Sequence, residues 1–326
     1  MVEPNPPAAA LDEAPVLVHV TRGGLVESAH HGRVVGTARG GEILLARGDV
    51  DAAVYPRSTL KPVQALAMVR HGLDIAPPLL ATVCSSHSGE PRHLEAVVEI
   101  LGGVGLGVEA LQNTPALPLG RSEAACWIAA GRAPEPLAQD CSGKHAGMLA
   151  TCVVNGWSTE DYLDPEHPVQ VAIAETVTAE VGPIATTSVD GCGAPLPAVP
   201  MAGLARAFGR LAAAAEGTPE HQVAEAMRRH PEMVGGEDRD VTTIMLGTPG
   251  LIAKDGAEAV FAAGAADGTG VAVKISDGAP FARARTAVLA TALARLGVDS
   301  EAVRVLSVSP VLGHGRPVGD VRVVGF

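Results

Sequence analysis

Pro56-Arg57-Ser58-Thr59-Leu60-Lys61-Pro62, with Lys254-Asp255-Gly256 far downstream, is the part of this sequence whose reading decides the fold. A serine and a lysine three residues apart share one face of a helix. If the amine is buried and neutral, it can take the hydroxyl proton and make a nucleophile without any histidine. Pro62 suits a first helical turn, where its missing N–H would be unpaired anyway. The spacing therefore predicts a helix that starts close to Ser58 and stops at Gly72. Ser58 then stands at the positive end of the helix dipole, where a developing oxyanion is stabilised. The plainer role for Ser58 is that of a helix N-cap. Taken singly, Lys254 reads as a solvated surface lysine; its weight comes from following the first motif in order and running into a strand.

Outward from these motifs, Val16 to Val20 is short and β-branched, Gly23-Gly24 makes a turn, and Val34-Val35 and Ile43 to Leu45 continue a strand texture as far as Val54. At the other end, Ala257 to Ala263 and Gly270 to Ile275 read as paired strands around Asp267-Gly268. Val303 to Val308 and Val321 to Val324 are also strand-like. The middle reads as helical over Pro62–His71, Leu94–Leu101, Val169–Glu180, Met201–Glu216 and Pro219–Arg229. A further helix over Ala282–Leu296 stops at Gly297. The pattern predicts an α+β fold whose antiparallel sheet is built from N- and C-terminal strands around a largely helical middle. Residues 1–14, acidic and proline-rich, read as a disordered lead-in, and 15–326 as a single catalytic domain.

Composition closes off several classes of function. The 326 residues allow a sizeable core. With 47% hydrophobic but only 2% aromatic residues, that core is aliphatic and few rings are free to stack on bases. A net charge of −12 argues against a nucleic-acid partner, which needs a basic stripe. No stretch approaches the ~20 apolar residues of a membrane helix. The start of the chain lacks the basic and apolar regions of a signal peptide. Five cysteines, an odd number, read as reduced thiols or metal ligands, which points to the cytoplasm.

Two polar clusters remain. Cys84-Ser85-Ser86-His87-Ser88-Gly89-Glu90 follows an apolar run and offers hydroxyls and an imidazole for a proton relay, or is an ordinary serine-rich loop. Cys141-Ser142-Gly143-Lys144-His145 and Asp190-Gly191-Cys192-Gly193 together offer two thiols, an imidazole, a carboxylate and an amine for zinc. The alternative is two buried thiols in glycine-rich loops. Cys84, Cys126 and Cys152 lie in apolar surroundings and read as core residues.

S-x-x-K followed by a K-T-G-like element is the order found in serine hydrolases of the β-lactamase and penicillin-binding class. With Ser86-His87-Ser88-Gly89-Glu90, Cys141 to Met148, Asp190 to Pro195, Arg229-His230-Pro231-Glu232-Met233-Val234 and Lys254 to Glu258, the chain resembles the Rhizobium-type (class 3) L-asparaginases from roughly residue 15 to residue 325. The resemblance implies a β-lactamase-like α+β fold, a homodimer, and hydrolysis of L-asparagine to L-aspartate and ammonia. It implies Ser–Lys pairs at Ser58 with Lys61 and at Ser86 with Lys254. It also implies zinc held by Cys141, Lys144 and Cys192, with His145 and Asp190 beside the ligands. Arg57 is the candidate for the substrate α-carboxylate, Asp190 for its α-ammonium, and His145 for a further substrate contact. Asp255 departs from the small hydroxyl residue that the wider superfamily prefers after its lysine. The alternatives are a glutaminase, a penicillin-recognising amidase, and a non-enzymatic zinc-dependent amino-acid-binding protein.

Overall fold

The computed structural model describes residues 13–279 and 283–326. The expected lead-in over 1–14 thus lies almost wholly outside the described residues. β1 (Val16–Arg22) and β2 (Leu25–Thr37) form a hairpin around the Gly23-Gly24 turn, and β3 (Ile43–Arg47) pairs with the far half of β2. From the other end come β7 (Ile252–Gly256), β8 (Val260–Gly264), β9 (Gly270–Ile275), β10 (Val308–Gly313) and β11 (Arg316–Val323). All pair antiparallel in the order β10-β11-β1-β2-β9-β8-β7, so the two termini share one sheet. This is the α+β arrangement that the sequence predicts. A second, small sheet of β4 (Ala53–Val54), β5 (Thr186–Val189) and β6 (Pro195–Pro200), in the order β4-β6-β5, is invisible in the sequence because proline interrupts its β6 strand.

The helices are α1 (Lys61–Arg70), α2 (Pro77–Val83), α3 (Pro91–Gly102), α4 (Arg121–Ala129), α5 (Ser142–Asn155), α6 (Pro168–Glu180), α7 (Met201–Ala212), α8 (Pro219–Arg229), α9 (Pro231–Val234), α10 (Asp240–Leu246), α11 (Arg285–Arg295) and α12 (Glu301–Leu306). Proline enters five of the larger ones in the first turn, as its fixed φ favours. Among the described residues no helix is long and apolar enough to cross a membrane.

Three expectations are corrected. Val303 begins no strand: the Ser300 hydroxyl accepts from Val303 N and caps α12, so a local hydrogen bond overrides β-branched propensity. The segment after Cys141, read as a glycine-rich loop, is the buried helix α5; Gly143 and Gly147 are there because helix α2 lies too close for a side chain. Cys126 is exposed rather than core, because α4 buries only Trp127.

Strands β7, β8 and β9 are buried along both faces and need cover on both. α7 supplies one side. A Cβ added at Gly270 would meet Ala205 O at 1.9 Å, and one at Gly264 would meet Phe208 O at 2.0 Å, so the helix backbone rests directly on the sheet. Gly36, opposite Val271 in register and therefore on the other face, approaches Leu296 at the end of α11. Helix, sheet and helix thus form three layers, and β7 is held at the edge nearest the helical middle. Gly270→Ala is expected to cost about 1–3 kcal/mol of stability by overpacking. A urea midpoint that falls with unchanged slope checks this; an unchanged midpoint contradicts the close approach.

Candidate active site

A 3₁₀ turn over Arg57–Leu60 leads straight into α1, the loop 84–90 joins α2 to α3, and β7 runs alongside both. Together they bring Ser58, Ser86 and Asp255 into the lining of one cleft of about 1150 Å³, with the buried amines of Lys61 and Lys254 bonded to Ser86 and Asp255 from behind that lining. The Ser58 hydroxyl caps nothing and has no hydrogen-bond partner among the described residues, which removes the N-cap role. Arg57 before it adopts φ 52°, a left-handed conformation costly for a non-glycine residue. Gly256 explains how β7 fits against this turn: a Cβ there would lie 3.1 Å from Pro56 O and 3.3 Å from Ser58 N.

The amines do not pair with serines as the resemblance implied. Lys61 Nζ donates to Ser86 Oγ at 3.1 Å and to the Ser85 carbonyl, with Asp140 Oδ2 at 3.9 Å. Neither lysine hydrogen-bonds Ser58 among the described residues. Lys254, with no exposure at all, donates to Asp255 O at 2.7 Å and to Asp255 Oδ1 at 2.8 Å. Burial draws its amine down to about 8; Asp255 works against the fall, while Lys61 and Arg239 add to it. Beneath the floor, burial pushes the Cys84 thiol up to about 12.

The sequence reading left three residues of this cleft without a role. Asp255 is buried, and its second oxygen receives Arg239 at 2.7 Å and Arg285 at 3.0 Å. Although burial opposes ionisation, Lys254 and the two arginines hold its carboxyl well below the ordinary range. Arg239 also reaches Ser86 O at 3.3 Å, and Arg285 donates to Gly256 O at 2.6 Å. One signal was available for Arg285: it opens α11, where the helix dipole disfavours a cation, so an anionic partner had to lie nearby. Arg239 follows the strained residue Asp238, φ 59°, in a charged loop without a recognisable motif.

His87 faces away from the floor, with Nε2 2.8 Å from Ser142 Oγ and its ring stacked on His93 at 5.2 Å. The second cluster sits behind the cleft. Cys141 and Cys192 pack side by side, and Lys144 Nζ lies 3.2 Å from Cys192 Sγ, all three buried. Hydrogen bonding between the thiols and the Lys144 ammonium pull the Cys192 thiol down, while the Cys141 thiol is pushed up. His145 does not line the cleft. It is fully buried, with Nδ1 2.9 Å from the Tyr162 hydroxyl and Nε2 without a partner among the described residues. Burial first, and the Lys144 charge second, take it down to about 4. Arg57 and Asp190, expected to hold opposite ends of a substrate, grip each other at 2.8 and 2.9 Å. Among the described residues no three His, Cys, Asp or Glu side chains converge as a metal site; the donor set here is two thiols and an amine. Two thiols in contact, a lysine against one of them and an orphaned imidazole nitrogen next in sequence form a set that fits a thiophilic cation such as zinc.

This chain is similar to a crystal structure described as a beta-lactamase from Mycobacterium bovis, at 14% identity over 83% of this chain and 91% of that one, with a TM-score of 0.41. It is similar too to one described as a candidate beta-lactamase from Bacteroides dorei, at 13% identity over 88% and 96%, with a TM-score of 0.43. No curated protein matches it. The family described as L-asparaginase II matches residues 18–323, which takes in both serines, both lysines and the cysteine cluster. The chain therefore belongs to the L-asparaginase II family, amidohydrolases that act on a small amide through a paired serine and lysine.

Proposed function

We propose that the small amide is L-asparagine, hydrolysed to L-aspartate and ammonia with Ser58 as the attacking group. The observation that carries this reading is a free Ser58 hydroxyl lining a cleft that Asp255 also lines, with the buried Lys254 amine, drawn down to about 8, bonded to that carboxylate. In the first step the Ser58 oxygen bonds to the side-chain carbonyl carbon and its proton passes to the Lys254 amine. The C–N bond then breaks, and the departing nitrogen takes up a proton through Ser86, which Lys61 orients. Water attacks the resulting ester, restores the Ser58 hydroxyl and releases aspartate. The zwitterionic head of the substrate matches the Arg57–Asp190 pair charge for charge: opening that pair offers a guanidinium to the α-carboxylate and a carboxylate to the α-ammonium. His145 orders the wall behind them from its bond to Tyr162.

The reading includes zinc held by Cys141, Lys144 and Cys192. When bound it would supply fixed positive charge behind Asp190, serving substrate affinity rather than the acyl transfer. It also includes a homodimer, for which Leu25 (72% exposed), Val308 and Leu312 at the free end of the sheet offer apolar surface. A cytoplasmic setting is supported by cysteines that are all free thiols.

Ammonia release from L-asparagine and from L-glutamine tests the substrate. Asparagine is expected to be turned over, with Ser58→Ala slower by on the order of 10⁴–10⁶-fold and Ser86→Ala by about 10²–10⁴-fold. Full activity in Ser58→Ala would move the nucleophile to Ser86. Because only the neutral amine accepts a proton, kcat/KM should rise with pH through about 8, following Lys254; a flat profile from pH 6 to 9 contradicts this base. Metal analysis of the purified protein should find zinc, and Cys192→Ala should lose it. Stripping the metal is expected to raise KM with kcat largely kept.

A further inference from the structure

Lysine is scarce in this chain: there are four, Lys61, Lys144, Lys254 and Lys274, and every one is buried. Surface positive charge is left to arginine. A buried amine needs an anion or several acceptors beside it. Lys61 has the Ser85 carbonyl and Ser86, Lys144 has the thiols, and Lys274 has two backbone carbonyls at 2.6 and 2.7 Å. Lys254 alone pairs with a buried carboxylate, and that carboxylate is shared with two guanidinium groups.

We propose that Asp255 is a positioning residue that fixes the Lys254 amine with one oxygen while Arg239 and Arg285 hold the other, so that removing the carboxylate and removing an arginine move the amine's titration in opposite directions. The inference rests on the reading of Lys254 as proton acceptor and extends it to three residues outside the Ser–Lys motifs. The geometry divides the carboxylate cleanly: Oδ1 goes to Lys254 at 2.8 Å, and Oδ2 goes to Arg239 at 2.7 Å and Arg285 at 3.0 Å. A lone buried Asp–Lys pair would lock the amine as ammonium. Two cations on Oδ2 offset that pull, while Oδ1 still fixes where the amine points. Charged or titratable groups face Lys254 from each neighbouring element: Lys61 from α1, the un-ionised Cys84 thiol from the end of α2, and Arg239 from the turn before α10. Arg285 comes from α11, with Asp240 of α10 behind it at 3.8 Å. Among the described residues the carboxylate is thus the only anion in contact with the amine, and Lys61 and Arg239 are the cations that oppose it.

Four lysines make the test direct. Protein labelled with ¹³C at the lysine Cε gives four resonances, and Lys254→Arg assigns the one from Lys254. Asp255→Asn keeps an oxygen for the amine but removes the charge, and should lower the Lys254 midpoint by about one pH unit, the lower end of what a neighbouring opposite charge gives. Arg239→Gln should raise it by a similar amount, and the double variant should return towards wild type. Arg285→Gln, expected to act like Arg239→Gln, serves if that variant does not fold, and Asp255→Ser, which also removes the charge, serves if Asp255→Asn does not. A merely structural role would admit water in every variant and move all midpoints up together. That result, or no movement with the fold intact by circular dichroism, overturns the proposal. Ammonia release is measured in parallel, and the rising limb of kcat/KM should follow the resonance. Opposed shifts without asparagine turnover would leave this network standing and sink the substrate reading. Turnover without opposed shifts would do the reverse.

Discussion

Taking the Lys254 amine wholly out of water is the constraint on which the rest of the cleft depends. An isolated ammonium in a protein interior is costly enough that it either loses its proton or finds an anion. Here both answers are partly used. Asp255, the next residue along β7, supplies the anion, and Arg239 and Arg285 take up the half of its charge that would otherwise hold the proton on. Those arginines come from the starts of two helices packed on β7 and on the sheet, so the protonation of one amine is tied to the placement of three elements. Arg285 at the first turn of α11 works against the helix dipole, and its ion pair with Asp255 together with its bond to Gly256 O offsets that cost.

The same packing explains the backbone on either side of Ser58. β7 lies so close to the 3₁₀ turn that a Cβ at position 256 would crowd Pro56 O and Ser58 N, and within that turn Arg57 takes a positive φ. Strain of this kind persists only where surroundings over-determine it. The Arg57–Asp190 ion pair does so from one side and Thr59, bonded to Pro56 O at 2.6 Å, from the other. The placement of Ser58 in the cleft lining follows from a turn that is held in place by its neighbours.

Behind that wall, Cys141, Lys144 and Cys192 form a second buried polar cluster, brought together because α5 starts at Cys141 and the loop after β5 folds back against it. Lys144 and His145 are consecutive on α5; Lys144 reaches the thiols, and His145 sits between the Cys192 thiol and the Tyr162 hydroxyl. The chain spends two of its four buried lysines on this wall and the Ser86 loop, which ties the cleft floor and its backing to one helical layer.

Much of the architecture was legible in the sequence because its signals are local. A proline in the first helical turn placed α1, helical patterning placed α6 and α8, the Gly23-Gly24 and Asp267-Gly268 turns placed hairpins, and β-branched runs at both ends placed the sheet. Where a local hydrogen bond beat propensity, as at Ser300, the reading went astray, and α5 hid behind glycines that are there for close packing. By itself the sequence determined which chemical groups the cleft has to work with: two serines, two lysines and a thiol cluster, in a fixed order along the chain. Only the tertiary structure decided that Lys61 meets Ser86 rather than Ser58, that Arg57 and Asp190 hold each other, and that Asp255 shares its charge with two arginines. Pairings between residues far apart in the chain are set by how helices and sheet pack, and that is a property of surfaces in contact which no spacing along one strand of sequence encodes.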